Sequence, residues 1–183
     1  MKTGRIFKKG FSAVWRSEEE LDRLLPAIAA ASFAGIEPTF NTGAIPSPEF
    51  YPRQAKVLVR RCRDLGLQIP SLRGGIRFWD TIPAARSGKR AEAVEHAKRA
   101  LECLAILGGQ TLLVVPGRIQ PDVAYEDHWK RAVEFARRAG EIAAPLGMRI
   151  GLENVEARFP LSVKEWNDLL AEIGHPAVRM YLD

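Results

Sequence analysis

The 183-residue sequence contains only two cysteines and three histidines, the residues from which disulfides and many metal sites are built. Its two cysteines, Cys62 and Cys103, lie about 40 residues apart on predicted helices, so we expect reduced thiols that serve packing. The three histidines, His96, His128 and His175, stand apart, and we predict that they are surface or capping residues. These scarcities exclude a disulfide scaffold and argue against a metal centre built mainly from histidine.

Long apolar runs are also absent, since none reaches the roughly 18 residues that a membrane-spanning helix needs. The basic start, MKTGRIFKKG, leads into no apolar run with a cleavage site, so we expect no secretory signal and a cytoplasmic protein. The net charge is +5 and the pI is near 9.5. Because the basic residues are mixed with glutamate on predicted helices, the sequence does not predict a nucleic-acid partner. The lack of a long apolar run argues against a membrane partner.

The sequence alternates between strand-length apolar runs and amphipathic stretches of helix length. Two of the helical stretches begin with the capping-box pattern, Ser17 with Glu20 and Ser162 with Glu165. Six runs are predicted to be strands: Phe11 to Trp15, Gly35 to Phe40, Leu67 to Leu72, Gln110 to Val115, Arg149 to Val155 and Ala177 to Leu182.

Glycines mark the predicted helix ends, because glycine adopts the left-handed conformation without a side-chain penalty. Five such glycines separate six strands by five helices: Gly35, Gly66, Gly108, Gly147 and Gly174. Strict alternation of this kind predicts an α/β domain over residues 1–183 with a parallel sheet. An open doubly wound sheet is disfavoured because the turn after the first strand lacks glycine. A partial (β/α)₈ TIM barrel is favoured, with its last two units missing.

Three acidic residues end predicted strands, namely Glu37, Glu153 and Asp183. The chemistry of such barrels takes place at the C-terminal ends of their strands. Glu153 and Asp183 are one strand–helix–strand step apart, and neighbouring strands are about 4.8 Å apart, so both carboxylates can reach one divalent ion. Helix caps or ion pairs with nearby arginines would explain the same residues, and spacing alone leaves both interpretations open.

The last 35 residues, RIGLENVEARFPLSVKEWNDLLAEIGHPAVRMYLD, resemble the xylose-isomerase-like TIM barrels of the sugar-phosphate isomerase/epimerase family. In that family a G-[LI]-E-N strand end precedes an aromatic R-F turn, and a helix leads to a Y-[FL]-D strand end. The segments 35–38 and 111–117 are similar to the family's second and fourth strands, and the segment 71–75 is similar to its third-strand loop. Hexulose-phosphate isomerases and ketose 3-epimerases are the most similar in pattern. Ala157 departs from it, because asparagine usually stands there.

The resemblance implies a metal-dependent isomerase or epimerase that moves a proton on a ketose or ketose phosphate through an enediolate. It implies one divalent metal, manganese first and magnesium or cobalt as alternatives, with Glu153 and Asp183 as ligands. Glu153 is also the implied catalytic base. The predicted substrate-binding residues are Trp15, Glu37, Glu156 and Arg158, although Trp15 is equally consistent with packing and Arg158 with an ion pair.

The family's other two ligands, a histidine and a second glutamate, belong to a seventh and an eighth strand. We therefore expect this chain to bind the ion weakly, if at all, and to be inactive or incomplete by itself. The alternative is a non-catalytic binding or assembly protein derived from the barrel, for which open barrel edges predict a homodimer. Apurinic-site endonucleases with the same barrel need a cluster of histidines, which the sequence lacks.

Overall fold

The computed structural model describes residues 8–182, in which six strands alternate with helices. The strands are β1 Gly10–Ala13, β2 Gly35–Pro38, β3 Ser71–Arg73, β4 Thr111–Val114, β5 Arg149–Glu153 and β6 Val178–Tyr181. The helices are α1 Glu18–Ala30, α2 Tyr51–Asp64, α3 Arg77–Thr81, α4 Ser87–Leu107, α5 Tyr125–Ala143 and α6 Val163–Ile173, with a 3₁₀ turn at Ala144–Leu146. Over this part of the chain, no helix has both the length and the apolarity to cross a bilayer.

The six strands follow one another in sequence order and are all parallel. β1 pairs with β2, and β3, β4, β5 and β6 form a second continuous ladder. Two isolated bridges, Gly35 with Gln68 and Thr39 with Arg73, join the two ladders. Within residues 8–182, β1 pairs only with β2 and β6 pairs only with β5. The architecture is a partial (β/α)₈ barrel, as predicted.

One face of each strand packs under the helices and forms the hydrophobic core. Because side chains alternate along a strand, every second residue belongs to this outer layer. The fully or nearly fully buried members are Ile36, Leu72, Leu112, Val114, Ile150, Leu152 and Val178. The opposite face lines the barrel interior, and there the side chains are largely polar or small, which makes the interior suitable for a polar site.

The serine half of both predicted capping boxes is confirmed. Ser17 Oγ accepts a hydrogen bond from the Glu20 amide at 3.1 Å, and Ser162 Oγ accepts one from the Glu165 amide at 3.2 Å. Four of the predicted helix-ending glycines, Gly66, Gly108, Gly147 and Gly174, have positive φ angles. These local signals place the helix ends correctly because they depend on only a few neighbouring residues.

The prediction that Gly35 ends the first helix is wrong. α1 ends at Ala30, and the positive φ angle after it belongs to Ser32, whereas Gly35 is the first residue of β2. A Cβ at Gly35 would lie 2.5 Å from the carbonyl oxygen of Gln68. Glycine is needed here because the backbones of two neighbouring strands approach each other closely.

Two further differences from the prediction are larger than the one or two residues by which the ends of the other strands differ. Six α helices are present among the described residues rather than five, because the short helix α3 follows the Gly74–Gly75 turn. The third strand is Ser71–Arg73 rather than Leu67 to Leu72. Pro70 has no amide hydrogen to donate to the ladder, so regular pairing begins only after it.

The prediction for two of the histidines is also wrong, whereas that for the cysteines is confirmed. His96 and His128 are buried, and the Nε2 atoms lie 2.8 Å from the Gly74 carbonyl and 3.1 Å from the Pro116 carbonyl. Burial lowers the pKa of both imidazoles, that of His96 to about 4. Cys62 and Cys103 are free and buried, and burial raises the pKa of each thiol.

Candidate functional site

Glu153 is the last residue of β5, at the C-terminal end of the barrel strands. Ile150 and Leu152 face the helices, so the alternation places Gly151 and Glu153 on the interior face. Glu153 is partly buried and is paired in register with Tyr181 of β6. It therefore stands where barrels of this type hold their reactive groups. The second predicted ligand, Asp183, lies outside the described residues.

Glu37 lies inside the barrel and accepts hydrogen bonds from three hydroxyl groups. Ser12 Oγ donates to Oε1 at 2.9 Å, and Ser71 Oγ donates to Oε2 at 2.6 Å. The Tyr181 hydroxyl also donates to Oε2, at 2.8 Å. These partners come from β1, β3 and β6, so one buried carboxylate joins four strands across the interior. We call Glu37, Ser12, Ser71 and Tyr181 the interior cluster.

The interior cluster holds Tyr181 as a neutral donor. Its pKa is raised to about 12, first by burial, then by the hydrogen bond to Glu37 and by the negative charges of Glu37 and Glu153. A hydrogen bond with Ser71 acts in the opposite direction but does not cancel the rise. The phenol is therefore protonated at neutral pH, and its proton is available to the Glu37 carboxylate.

A second polar contact lies one step nearer the C-terminal ends of the strands. The Thr39 hydroxyl donates to the carbonyl oxygen of Ala13 at 3.1 Å. The same hydroxyl accepts a hydrogen bond from Arg73 Nε at 2.9 Å. Arg73 is only partly buried and ends β3. The interior is thus polar from the level of Glu37 up to the strand ends.

Two buried polar atoms near the strand ends have no hydrogen-bond partner within residues 8–182. One is Nε1 of Trp15, which follows β1 and is fully buried, and the other is Oδ1 of Asn154, which follows β5. Buried polar atoms are rarely left without a partner, so each of these two calls for one, such as a bound water or ion. For Trp15, the structure shows packing in the core, and its role in substrate binding stays a prediction.

Glu156 and Arg158 lie on the loop between β5 and α6, and both are exposed. Arg158 has a φ angle of 58°, in the left-handed region, and the residues on either side of it, Ala157 and Phe159, are buried. The carbonyl oxygen of Ala157 accepts a hydrogen bond from the Ile119 amide at 3.3 Å. The loop is therefore fixed by its buried residues while the two predicted substrate-binding side chains face outward from it.

The described residues provide part of a metal site at most. Residues 8–182 contain no group of three or more His, Cys, Asp or Glu side chains that could hold a metal ion. Both oxygens of Glu37 accept hydrogen bonds from hydroxyl groups, which leaves it poorly suited to be a ligand. Glu153 has the oxygen donor that manganese or magnesium prefers, but one carboxylate is too few for a stable site.

Three residues of the interior cluster were not among the predicted site residues. Ser12, Ser71 and Tyr181 contribute the hydroxyls that hold Glu37. A signal for them exists in the sequence, because each is a hydroxyl residue at a position of its strand that alternates with apolar residues. That pattern indicates a polar interior, but it does not show which of these residues meet.

Solved structures of sugar epimerases share this fold. L-ribulose 3-epimerase matches with a TM-score of 0.79 and 20% identity, covering 97% of this chain and 61% of that chain. The 3-keto-D-glucoside 4-epimerase YcjR from E. coli matches with a TM-score of 0.75 and 18% identity, covering 97% and 68%. An AP endonuclease of family 2 from Brucella melitensis matches with a TM-score of 0.75 and 20% identity, covering 97% and 69%. At these identities the likeness establishes the fold.

The model of the xylose isomerase-like TIM barrel family matches residues 25–183. This chain belongs to that family. It spans about three fifths of the length of the L-ribulose 3-epimerase that it resembles. A comparison with curated proteins found no match.

Proposed function

We propose that this chain is part of a metal-dependent isomerase or epimerase that acts on a ketose or ketose phosphate. The observation that best supports the proposal is the position of Glu153, which ends β5 on the interior face beside Tyr181. Several solved structures with this fold are ketose epimerases by name, including a D-allulose 3-epimerase from Methylomonas sp. in complex with D-allulose. The polar barrel interior suits a hydroxyl-rich ligand of that kind.

In this proposal Glu153 is the base that removes the proton from the carbon next to the ketose carbonyl. A carboxylate placed for this transfer contributes about 10² to 10⁴ in rate. Glu153 and Asp183 would hold a divalent ion, manganese first, which when bound stabilises the negative charge of the enediolate. Trp15, Glu156 and Arg158 would contact the sugar. Since one base can return the proton only to the face it came from, inversion needs a second base opposite.

Because residues 8–182 provide too few ligands for a complete site, we expect weak metal binding and little or no turnover by the chain alone. The test is a calorimetric Mn²⁺ titration of the wild type and of Glu153→Gln. Loss of the carboxylate charge should weaken binding by about tenfold or more, by analogy with the effects of changes around metal sites. Hydrogen–deuterium exchange at the sugar carbon should then be measured with D-allulose, D-fructose and D-tagatose.

The matched control is Glu134→Gln. Glu134 is exposed on α5 and forms a 3.3 Å ion pair with Arg138, so the variant changes the same charge far from the barrel interior. It should bind Mn²⁺ as the wild type does. Equal Mn²⁺ affinity in the wild type and Glu153→Gln would contradict the metal assignment.

A second candidate function is binding or assembly without catalysis. The two outer strands of the partial barrel favour this second candidate, since within the described residues β1 and β6 each pair on one side only. Unpaired edges of parallel strands offer backbone donors and acceptors to another chain. Light scattering on the same samples distinguishes the two candidates: a dimer that binds no Mn²⁺ supports assembly, and a monomer that binds Mn²⁺ through Glu153 supports the enzyme.

A further inference from the structure

Tyr181 reaches across the barrel from the last strand to the second. Its hydroxyl donates to Glu37, a residue 144 positions earlier in the chain. The other oxygen of Glu37 is occupied by Ser12, and Ser71 shares the oxygen that Tyr181 uses. The phenol is therefore fixed at its far end by a carboxylate that is itself hydrogen-bonded on both oxygens.

The ring of Tyr181 lies against the backbone of β5 just before Glu153. A Cβ added at Gly151 would lie 2.8 Å from Cδ2 and 3.2 Å from Cβ of Tyr181. Gly151 and Glu153 are two residues apart on one strand and so point to the same face. The ring thus lies over Gly151 on the inner face of β5, the face from which Glu153 also projects, and the absence of a side chain at Gly151 leaves room for it.

We propose that Tyr181 is a positioning residue for Glu153. The hydrogen bond to Glu37 fixes the phenol ring against Gly151, and the ring in turn limits the conformations open to the neighbouring carboxylate. Glu37 is therefore an anchor inside the barrel rather than a group that contacts the sugar. This inference rests on the proposed function only in the role given to Glu153, since the contacts themselves are independent of it.

The first test measures the anchor without any metal or sugar. NMR spectra of ¹³Cζ-labelled tyrosine at neutral pH resolve the three phenols of the chain one by one. In Glu37→Gln the negatively charged acceptor of the Tyr181 hydroxyl is lost, so the ¹³Cζ chemical shift of Tyr181 should change relative to the wild type. Tyr125 is the internal reference, because its hydroxyl donates to Glu165 at 2.9 Å outside the barrel and should not respond. An unchanged Tyr181 chemical shift would overturn the proposal.

The second test measures positioning by Mn²⁺ affinity. Tyr181→Phe keeps the ring but removes its anchor, and Mn²⁺ binding should weaken by about tenfold, as is common when the support of a metal ligand is removed. Tyr125→Phe is the matched control, since it removes an equivalent tyrosine–glutamate hydrogen bond elsewhere and should bind Mn²⁺ normally. Circular dichroism should show that both variants are folded.

The outcomes separate this inference from the proposed function. If the wild type binds Mn²⁺ through Glu153 and Tyr181→Phe binds it equally well, the positioning role is overturned and the proposed function stands. If the wild type binds no Mn²⁺ while Glu37→Gln still changes the Tyr181 chemical shift, the proposed function fails, and the positioning role fails with it. A tenfold loss of Mn²⁺ affinity in Tyr181→Phe, with normal Mn²⁺ binding by Tyr125→Phe, supports both the proposed function and the positioning role.

Discussion

Replacing Phe159 with alanine should lower the free energy of unfolding by about 3–5 kcal/mol, the usual cost of removing a buried aromatic ring. Phe159 is 1% exposed although it lies on the loop after β5. It stacks on His128 with 4.0 Å between the ring centroids and meets the rings of Tyr125 and Trp129 edge-on. The loop with Glu156 and Arg158 is thus attached to α5 by one aromatic side chain.

The control for this prediction is Leu161→Ala, two residues along the same loop. Leu161 is 66% exposed, so its removal should change the free energy of unfolding by less than about 0.5 kcal/mol. Urea denaturation of the two variants and the wild type measures both values. A cost for Phe159→Ala no larger than that for Leu161→Ala would show that the loop is not attached in this way.

The free energy of unfolding should fall as the pH is lowered from about 6.5 to about 4, with about 3 kcal/mol of the fall due to His96. Burial lowers the pKa of His96 in the folded state to about 4. Between its unfolded and folded pKa values the unfolded chain binds a proton that the folded chain does not, so acid favours unfolding. The contribution of neutral His96 to the free energy of unfolding is complete above about pH 6.5 and is lost by about pH 4.

The surroundings of His96 explain why its charged form is disfavoured. The ring lies between the rings of Phe40 and Phe78, at centroid distances of 5.2 and 5.0 Å. The charges of Arg77 and Arg99 lower the pKa further, while the hydrogen bond to Gly74 and the charge of Glu49 raise it only in part. A protonated imidazole would be buried among aromatic rings with little compensation.

His96→Gln is the variant that isolates this contribution, because glutamine can still donate to the Gly74 carbonyl but does not titrate. Urea denaturation at several pH values should show that the variant loses about 3 kcal/mol less than the wild type between pH 7 and pH 4. Parallel pH profiles of the two proteins would show that His96 does not contribute to acid sensitivity.

The parts of the fold that the sequence predicts correctly depend on neighbouring residues. Ser17 and Ser162 cap helices whose first turns contain the matching glutamates, and Gly108 ends a helix with a positive φ angle. Strand order follows from the alternation of strands and helices, which allows few topologies. The position of Glu153 at the end of β5 follows from the same alternation.

The parts that the sequence does not predict depend on contacts between distant residues. The sequence predicts a helix end at Gly35, but the need for glycine there comes from the Gln68 carbonyl, which precedes β3. The sequence predicts surface or capping positions for His96 and His128, because a helical pattern does not reveal which polar residue meets a buried carbonyl. The contact between Glu37 and Tyr181 spans 144 positions and exists only once the barrel interior is formed.

The most direct measurement of the central claim is anomalous diffraction at the manganese absorption edge from crystals soaked in Mn²⁺. We expect one anomalous peak at the C-terminal ends of β5 and β6, within coordination distance of oxygen atoms from both Glu153 and Asp183. No peak at a saturating concentration, or carboxylates that face different directions and share no ion, would contradict it.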